Sequence, residues 1–390
     1  MQKLVLQSMS QISNQLNIYD IENIVFRELV LRILLLSRYM QNGASSRVRF
    51  YQYLPYLRSQ GIEITVAPLL GNGYIEHIYA NNNVPFMIIL WGYIKRILLL
   101  ARAQKFDLIW IEKELFPWLP SLVENILTSL HIPYVVDYDD AIFHPYDLHN
   151  NAIVRTFLGQ KIDKIMRQAS LVIVGNDYLG QRASKSGAKR IELIPSVVDQ
   201  HKWMPKAATN SGFRIGWIGS PVSAHYLRLI QKPLQILCED SDTTMVLIGA
   251  GDHDYLPGIR KEILPWSEET EAAGVNSFDV GIMPLTEGPF EEGKCGYKLI
   301  QYMACSLPVV ASPVGVNKQI VESNVTGFLA SNNDEWINRL IELRNDPEKR
   351  NKLGGAGRAK LEKYYSLDIT APRLYELLLS VVDRWGKREH

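Results

Sequence analysis

The sequence predicts an α/β protein made of two doubly wound parallel-sheet domains that face a central cleft. Three observations carry this expectation. Short apolar runs of strand length alternate with helical patterns nearly throughout the chain. Most of those runs are apolar at successive positions, the pattern of strands covered on both faces. The alternation passes twice, on either side of the polar stretch VVDQHKWMPKAATNSG over 197–212. At 390 residues the chain is long for one core and comfortable for two.

In the first half, RILLLS (32–37) and IEITVAP (62–68) read as strands on either side of the loop and helix GASSRVRFYQYLPYLRSQG. A helix from Val84 precedes the strand FDLIWIEK (106–113), and a helix around 118–130 precedes PYVVDYDD (133–140). A helix from about Val154 to Gln168 leads into SLVIVGND (170–177), and RIELIPSVVD (190–199) closes the half. The second half shows four buried-strand patterns: FRIGWIGS (213–220), TTMVLIGAG (243–251), FDVGIMPL (278–285) and LPVVAS (307–312). Helices lie between them and finish the chain. The expected division is an N-terminal arm or extra helix over 1–30, a first domain over 31–198 and a second over 199–369. A C-terminal helix of about 370–390 is available to pack back on the first domain.

Composition narrows the function classes. Lys plus Arg number 42 and Asp plus Glu 41, so the net charge of +1 argues against wholesale nucleic-acid binding, and any anion site is local. The cysteines Cys238, Cys295 and Cys305 are odd in number with no close pair, which fits a reducing cytoplasm rather than a disulfide framework. Each cysteine reads as a small buried hydrophobe, with exposure the alternative for Cys295, which lies in a motif with nothing near it that marks a nucleophile. The most apolar stretch, VPFMIILWGYIKRILLLARAQ, is interrupted by Gly92, Lys95 and Arg96. It falls short of the roughly 18 apolar residues of a membrane span. It reads as a helix packed on a sheet, with a basic amphipathic face touching a membrane surface as the alternative.

In open parallel sheets ligands bind beyond the carboxyl ends of the strands, so the residues there are the candidates. After the first strand, Gly43 and Ala44 open a turn, Ser45 or Ser46 can cap the next helix, and Arg47 and Arg49 add positive charge. After PYVVDY come the adjacent carboxylates Asp139 and Asp140, suited to acid–base work or to holding sugar hydroxyls. Asn176 follows the LVIVG strand and either donates into the cleft or caps a helix. Gly219 and Ser220 follow FRIGWI, with His225 in the first turns of a helix expected near Ser223.

The stretch beginning GPFEEGKCGYKLIQYMACSLP places Glu292, Gly293, Lys294, Gly296, Lys298 and Gln301 where a helix begins. Lys294 and Lys298, four apart, share one face if the helix includes both. Two ammonium groups and free main-chain amides at a helix start suit a diphosphate. Gln301 is placed to bind a ribose.

These residues also carry a family likeness. GYKLIQYMACSLPVVASPVGVNKQIVESNVTGFLA, VIVGNDYL, IELIPSVVD and FDVGIMPL together resemble the family-4, retaining GT-B glycosyltransferases, over roughly 31–380. The GASSRVR and VVDYDDAIF pieces look like a bacterial branch of that superfamily. The resemblance implies two Rossmann-like domains, the acceptor on the first and a nucleotide-diphosphate sugar on the second. It also implies retention of anomeric configuration and no cofactor or obligatory metal. The sequence departs from the family in its usual spaced glutamate pair, where Gly293 and Gln301 stand. It departs again at the basic pair after the first strand of the second domain, where Ser220 and His225 stand. Asp139 takes the place of a histidine frequent in the family.

The expected function is therefore transfer of a sugar to a glycan or lipid-linked acceptor. The setting would be bacterial surface polysaccharide biosynthesis, in the cytoplasm or at the inner membrane surface. A nucleotide-sugar epimerase on the same fold and a catalytically inactive nucleotide-sugar or glycan-binding protein are the alternatives. The former would need an acid–base set at the sugar, and the missing glutamates make the latter conceivable.

Overall fold

The computed structural model describes residues 30–79, 84–206 and 212–386. The arm expected over 1–30 lies almost wholly outside the described residues. Two six-stranded sheets, all parallel, organise the chain, in the orders β2-β1-β3-β4-β5-β6 and β12-β11-β10-β7-β8-β9. The first comprises β1 Arg32–Leu36, β2 Glu63–Val66, β3 Leu108–Glu112, β4 Tyr134–Tyr138, β5 Leu171–Val174 and β6 Ile191–Leu193. The second comprises β7 Phe213–Ile218, β8 Thr243–Ile248, β9 Lys261–Leu264, β10 Val280–Met283, β11 Val309–Ala311 and β12 Gly327–Leu329. This is the GT-B arrangement.

Each sheet is coated on both faces, which is why its central strands read as unbroken apolar runs. Alternate residues of one strand enter different cores: Leu34 and Leu36 pack on one face of the first sheet, Ile33 and Leu35 on the other. The edge strands β9 and β12 escaped the sequence reading. KEIL is only partly buried, and GFL is three residues long, so neither shows an apolar run. The single helix expected over about 154–168 is two, Ala152–Leu158 and Lys161–Gln168.

The chain crosses between lobes twice, side by side. Val198 NH donates to Tyr365 O and Leu367 NH donates to Val198 O, at 3.3 and 3.0 Å. After this second crossing the Leu367–Gly386 helix returns to the first lobe. Its Ala371, Leu374 and Leu378 enter the core beneath β1 and β3, and Thr370 meets Tyr53. The lobes therefore share two covalent connections, and their strand ends face one another.

One close packing positions the second lobe's site. Gly281 on β10 lies under the Tyr302 ring, where a Cβ would come within 2.1 Å of ring carbon. The Tyr302 hydroxyl donates to Ile282 O and accepts from Ile218 NH, each at 3.1 Å. The Tyr297–Ala304 helix is thus pinned across β10 and β7, with its first turn at their carboxyl ends.

Candidate functional site

The second lobe contributes a helix start and two lysines. Gly296 precedes the Tyr297–Ala304 helix at φ +65°, a conformation that disfavours any side chain, and no side chain caps this end. Gly296, Tyr297, Lys298 and Gln301 line a cavity of about 290 Å³ between the lobes, together with Gly219, Ser220 and Lys294. Lys298 lies under Trp217, its Nζ 5.4 Å from the ring centre. Burial and the nearby Lys294 charge lower the Lys298 pKa to about 8, against the opposing pull of Asp140.

Lys294 reaches the same cavity by another route. It is not on the helix: Pro289–Glu292 forms a separate short helix, Gly293 caps it, and Lys294 lies in the link to Gly296. Sharing a helical face is therefore not what brings the lysines together. Lys294 is instead steered by Phe290 and Tyr226, whose ring centres lie 4.8 and 5.9 Å from its Nζ, and by Asp140 Oδ1 at 3.8 Å.

The first lobe contributes a hub of charges at the ends of β3 and β4. Lys113 follows β3 at φ +65°, a left-handed conformation costing a side-chain-bearing residue about 1–2 kcal/mol. Its turn sends three successive charged residues in different directions. Glu112 accepts from Arg38 NH and Ser46 Oγ, both at 2.6 Å. Lys113 Nζ lies 2.7 Å from Asp139 Oδ1 and 3.8 Å from Asp140 Oδ2. Glu114 accepts from Lys161 at 2.6 Å and from the Tyr146 hydroxyl. Charged residues ending an otherwise buried strand, LIWIEKEL, were the signal that sequence reasoning passed over.

Asp139 and Asp140 diverge in character. Burial opposes the charge of Asp139, but Lys113 and the Ser45 hydroxyl, 2.7 Å from Oδ2, outweigh it and hold the carboxyl below its usual range. Asp140 is pushed upward by burial and by Asp139, with Lys113, Lys294 and Lys298 working against the rise. Asp140 thus stands between a lysine of each lobe.

The remaining candidates separate into those at the cavity and those elsewhere. Ala44, Ser45 and Arg47 line it. Gly43 begins the Ala44–Arg49 helix, packed so tightly on Tyr39 that a Cβ would approach to 2.4 Å. Neither Ser45 nor Ser46 caps that helix; both turn to carboxylates instead. Arg49 does not face the cleft: it is buried against Asp137, at 2.8 and 3.0 Å, and Ile194 O, because residues two apart on a helix, Arg47 and Arg49, do not share a face. Asn176 does both things expected of it, capping its helix through Leu179 NH and donating to Gly293 O and Lys294 O across the cleft.

Two expectations are corrected. His225 is exposed and bonds only to Val222 O, because the Pro221–Ala224 helix is one turn long and a 3₁₀ segment turns His225 outward. Ser220 immediately precedes that turn, which begins at Pro221 and not near Ser223, and its NH donates to the Ser223 hydroxyl at 3.4 Å. Glu292 is outside the cavity lining, and its neighbour Glu291 accepts from Tyr226 instead. Cys295 takes the buried one of its two readings, packed against Gly175 and Asn176.

A second contact absent from the sequence reading ties the lobes. Arg47 Nη2 meets Glu271 Oε2 at 3.2 Å, the guanidinium lies 4.5 Å from the Trp266 ring centre, and Trp266 Nε1 donates to the same carboxylate oxygen. This cluster walls the cavity from a larger one of about 1460 Å³ beside the crossover. Among the described residues no group of three His, Cys, Asp or Glu side chains is placed to hold a metal ion.

Comparison with known proteins agrees with this fold. The family model for glycosyl transferases group 1 matches residues 212–346, within the second lobe. A GDP-mannose-dependent monoacylated α-(1-6)-phosphatidylinositol monomannoside mannosyltransferase of Corynebacterium glutamicum is 27% identical, over 57% of this chain and 65% of its own length. The sulfoquinovosyl transferase SQD2 of Arabidopsis thaliana is 23% identical, over 87% of this chain and 72% of its own. Among solved structures, a sucrose-phosphate synthase from Thermosynechococcus elongatus superposes with a TM-score of 0.68 at 16% identity, covering 91% of this chain and all of its own. Anabaena HepE in complex with UDP and glucose gives 0.66 at 17% identity, covering 90% and 100%. The fold is thus that of the GT-B glycosyltransferases, and the second lobe is similar to the glycosyl transferases group 1.

Proposed function

We propose that this protein is a retaining glycosyltransferase that takes a sugar from a nucleoside-diphosphate sugar and places it on a glycan or lipid-linked acceptor of a bacterial surface polysaccharide. One observation carries the reading: two lysines and an uncapped helix start on the second lobe face paired carboxylates on the first, across one cavity. The donor's diphosphate would lie at Gly296–Lys298 with Lys294 beside it, Gln301 would hold the ribose, and the acceptor hydroxyl would approach past Ser45 and Asp139. HepE structures with UDP and with UDP-glucose, and a curated relative that depends on GDP-mannose, support a donor of this class.

In the proposed reaction the bond from the anomeric carbon to the donor phosphate oxygen breaks, and the electron pair leaves with the diphosphate. The acceptor oxygen bonds to the same carbon from the same face, and its proton passes to the departing phosphate oxygen. Lys294, Lys298 and the main-chain amides stabilise the negative charge that develops there, and no metal enters this scheme. Asp139, kept ionised by Lys113, orients the acceptor hydroxyl. We place the reaction in the cytoplasm, where nucleotide sugars would reach the cleft.

A thermal-shift screen of the full chain against nucleoside diphosphates and their sugars tests the donor class. Stabilisation by about 3 kcal/mol is expected at a hundred-fold excess over Kd, selective for one base. No stabilisation by any of them would remove the reading. Product anomers, read by proton NMR coupling, test retention.

The pKa of Lys298 adds a pH dependence. A diphosphate favours the charged amine, so binding raises this pKa above its free value of about 8. Affinity is then constant below pH 8, where the amine is charged in both states, and declines above it as free Lys298 must take up a proton to bind. Calorimetric titrations at pH 7 and 9 are expected to show weaker binding and proton uptake at the higher pH.

A further inference from the structure

The first lobe bears an unusual outer surface. On the Phe86–Leu100 helix, Phe86, Met87, Trp91, Ile97 and Leu98 are each more than half exposed, Phe86 at 71%. The next turn and helix expose Trp118, Leu122 and Ile126, and the Ala152–Leu158 helix exposes Ile153 and Phe157, the last at 71%. The inner residues of these elements, Tyr93, Leu99, Val123, Leu127, Val154 and Leu158, pack into one core on one face of the first sheet, so the three elements cover the same side of the lobe. Tyr93, on the inner side of the first helix, lies tilted against Phe116 at 5.3 Å between ring centres and donates to Pro117 O. Trp118 in turn lies 5.1 Å from Tyr146 and 5.9 Å from His149, at the start of the third element. An exposed apolar area this extended is not a feature of an ordinary solvated surface.

The charges within it have one sign. Over 84–105, 118–131 and 148–160 the exposed charged side chains are Lys95, Arg102, Lys105 and Arg155. The single carboxylate in these segments, Glu124, is buried and accepts from Leu115 NH. Lys95 is drawn over Trp91, 5.7 Å from its ring centre. Apolar side chains accompanied by exposed cations, with no exposed anion in the same segments, complement a surface that is greasy inside and negatively charged outside. No helix among the described residues is long and apolar enough to cross a membrane, so the complementary geometry is lying on a bilayer. The face also reaches the cleft, since the segment carrying His144 and Leu148 continues directly from Asp139 and Asp140.

We propose that the outer face formed by the Phe86–Leu100 helix, the Trp118–Ile126 region and the Ala152–Leu158 helix docks the protein on an anionic lipid bilayer. In that pose the cleft opens at the level of the lipid headgroups. The docking itself is independent of the sugar-transfer reading. It deepens that reading in one respect: a lipid-linked acceptor would enter the cleft along this face.

The test is co-sedimentation of the full chain with phosphatidylcholine vesicles, with and without about 30 mol % phosphatidylglycerol. Binding is expected only to the anionic vesicles, weakening at high salt. Ile97→Glu with Phe157→Glu is expected to lower the partition coefficient about ten-fold, and Lys95→Glu with Arg102→Glu comparably. Ile236→Glu, at an exposed apolar position on the second lobe, is expected to leave it unchanged. Absence of binding, or equal binding by all variants, overturns the proposal. Two other occupants would also overturn it in recognisable ways. A concentration-dependent dimer, abolished by the double glutamate variant, would assign the face to a second copy. Core-like hydrogen-exchange protection of 86–98 in the free monomer would assign it to the chain's own first 29 residues. Donor-induced thermal shifts of the same variants keep the two readings apart: their loss from every form, with vesicle binding intact, would remove sugar transfer and leave the docking face.

Discussion

Replacing both Lys294 and Lys298 with alanine is expected to lower kcat/KM by about 10³-fold, the largest effect of any change considered. Removing one well-placed donor to developing charge costs about 10²–10³-fold, and here two cations converge on one leaving group. The two are not equivalent. Lys298 is on the helix and largely desolvated, so its charged form is disfavoured in the free protein and favoured by the diphosphate. Lys294 is steered by Phe290, Tyr226 and Asp140 before any ligand arrives. Lys298→Ala is therefore expected to reduce kcat more than Lys294→Ala, which should act chiefly on the donor KM. Steady-state kinetics of the single and double variants decide this. Unchanged kinetics in the double variant would show that the diphosphate is held elsewhere.

Asp139→Asn is expected to lower transfer by about 10²-fold while leaving donor binding nearly intact. The substitution keeps the shape but removes the charge that faces Lys113 and Ser45. It also leaves a buried ammonium without its main counter-ion, a change that costs about 3–5 kcal/mol in comparable settings. Lower activity alone would therefore not separate a chemical role from a structural one. Lys113→Met added to Asp139→Asn removes the stranded charge, and the double variant is expected to recover much of the lost melting temperature without recovering transfer. Recovery of both would reduce Asp139 to a structural partner. Calorimetric donor titrations beside the activity assay complete the comparison, and weakened donor binding in Asp139→Asn would place this carboxylate on the donor side.

The contrast between the two lobes explains what was legible beforehand. Lys298, Gly296 and Gln301 were found because one local segment carries them, and a helix start is a local event. Lys113 was missed because its role depends on Asp139, which pairs with it only once β3 and β4 lie side by side. Arg47 was assigned to the cleft on its sequence position alone. Its partners Glu271 and Trp266 lie more than half the chain away, and nothing along the chain announces them. His225 was misplaced because a short helix gave way to a 3₁₀ segment, which rotates the ring out to solvent.

What the chain determined by itself was its architecture: apolar runs of strand length separated by helices can bury themselves only as parallel sheets covered on both faces, twice over. It also determined the glycine and lysine cluster, since backbone freedom and charge are properties of residues and their nearest neighbours. Which carboxylate meets which cation, which arginine ties the lobes, and which apolar side chains remain outside were decided only by the tertiary structure. Those outcomes depend on distances between residues remote in sequence, where burial alters the cost of charge and packing selects the face that is covered.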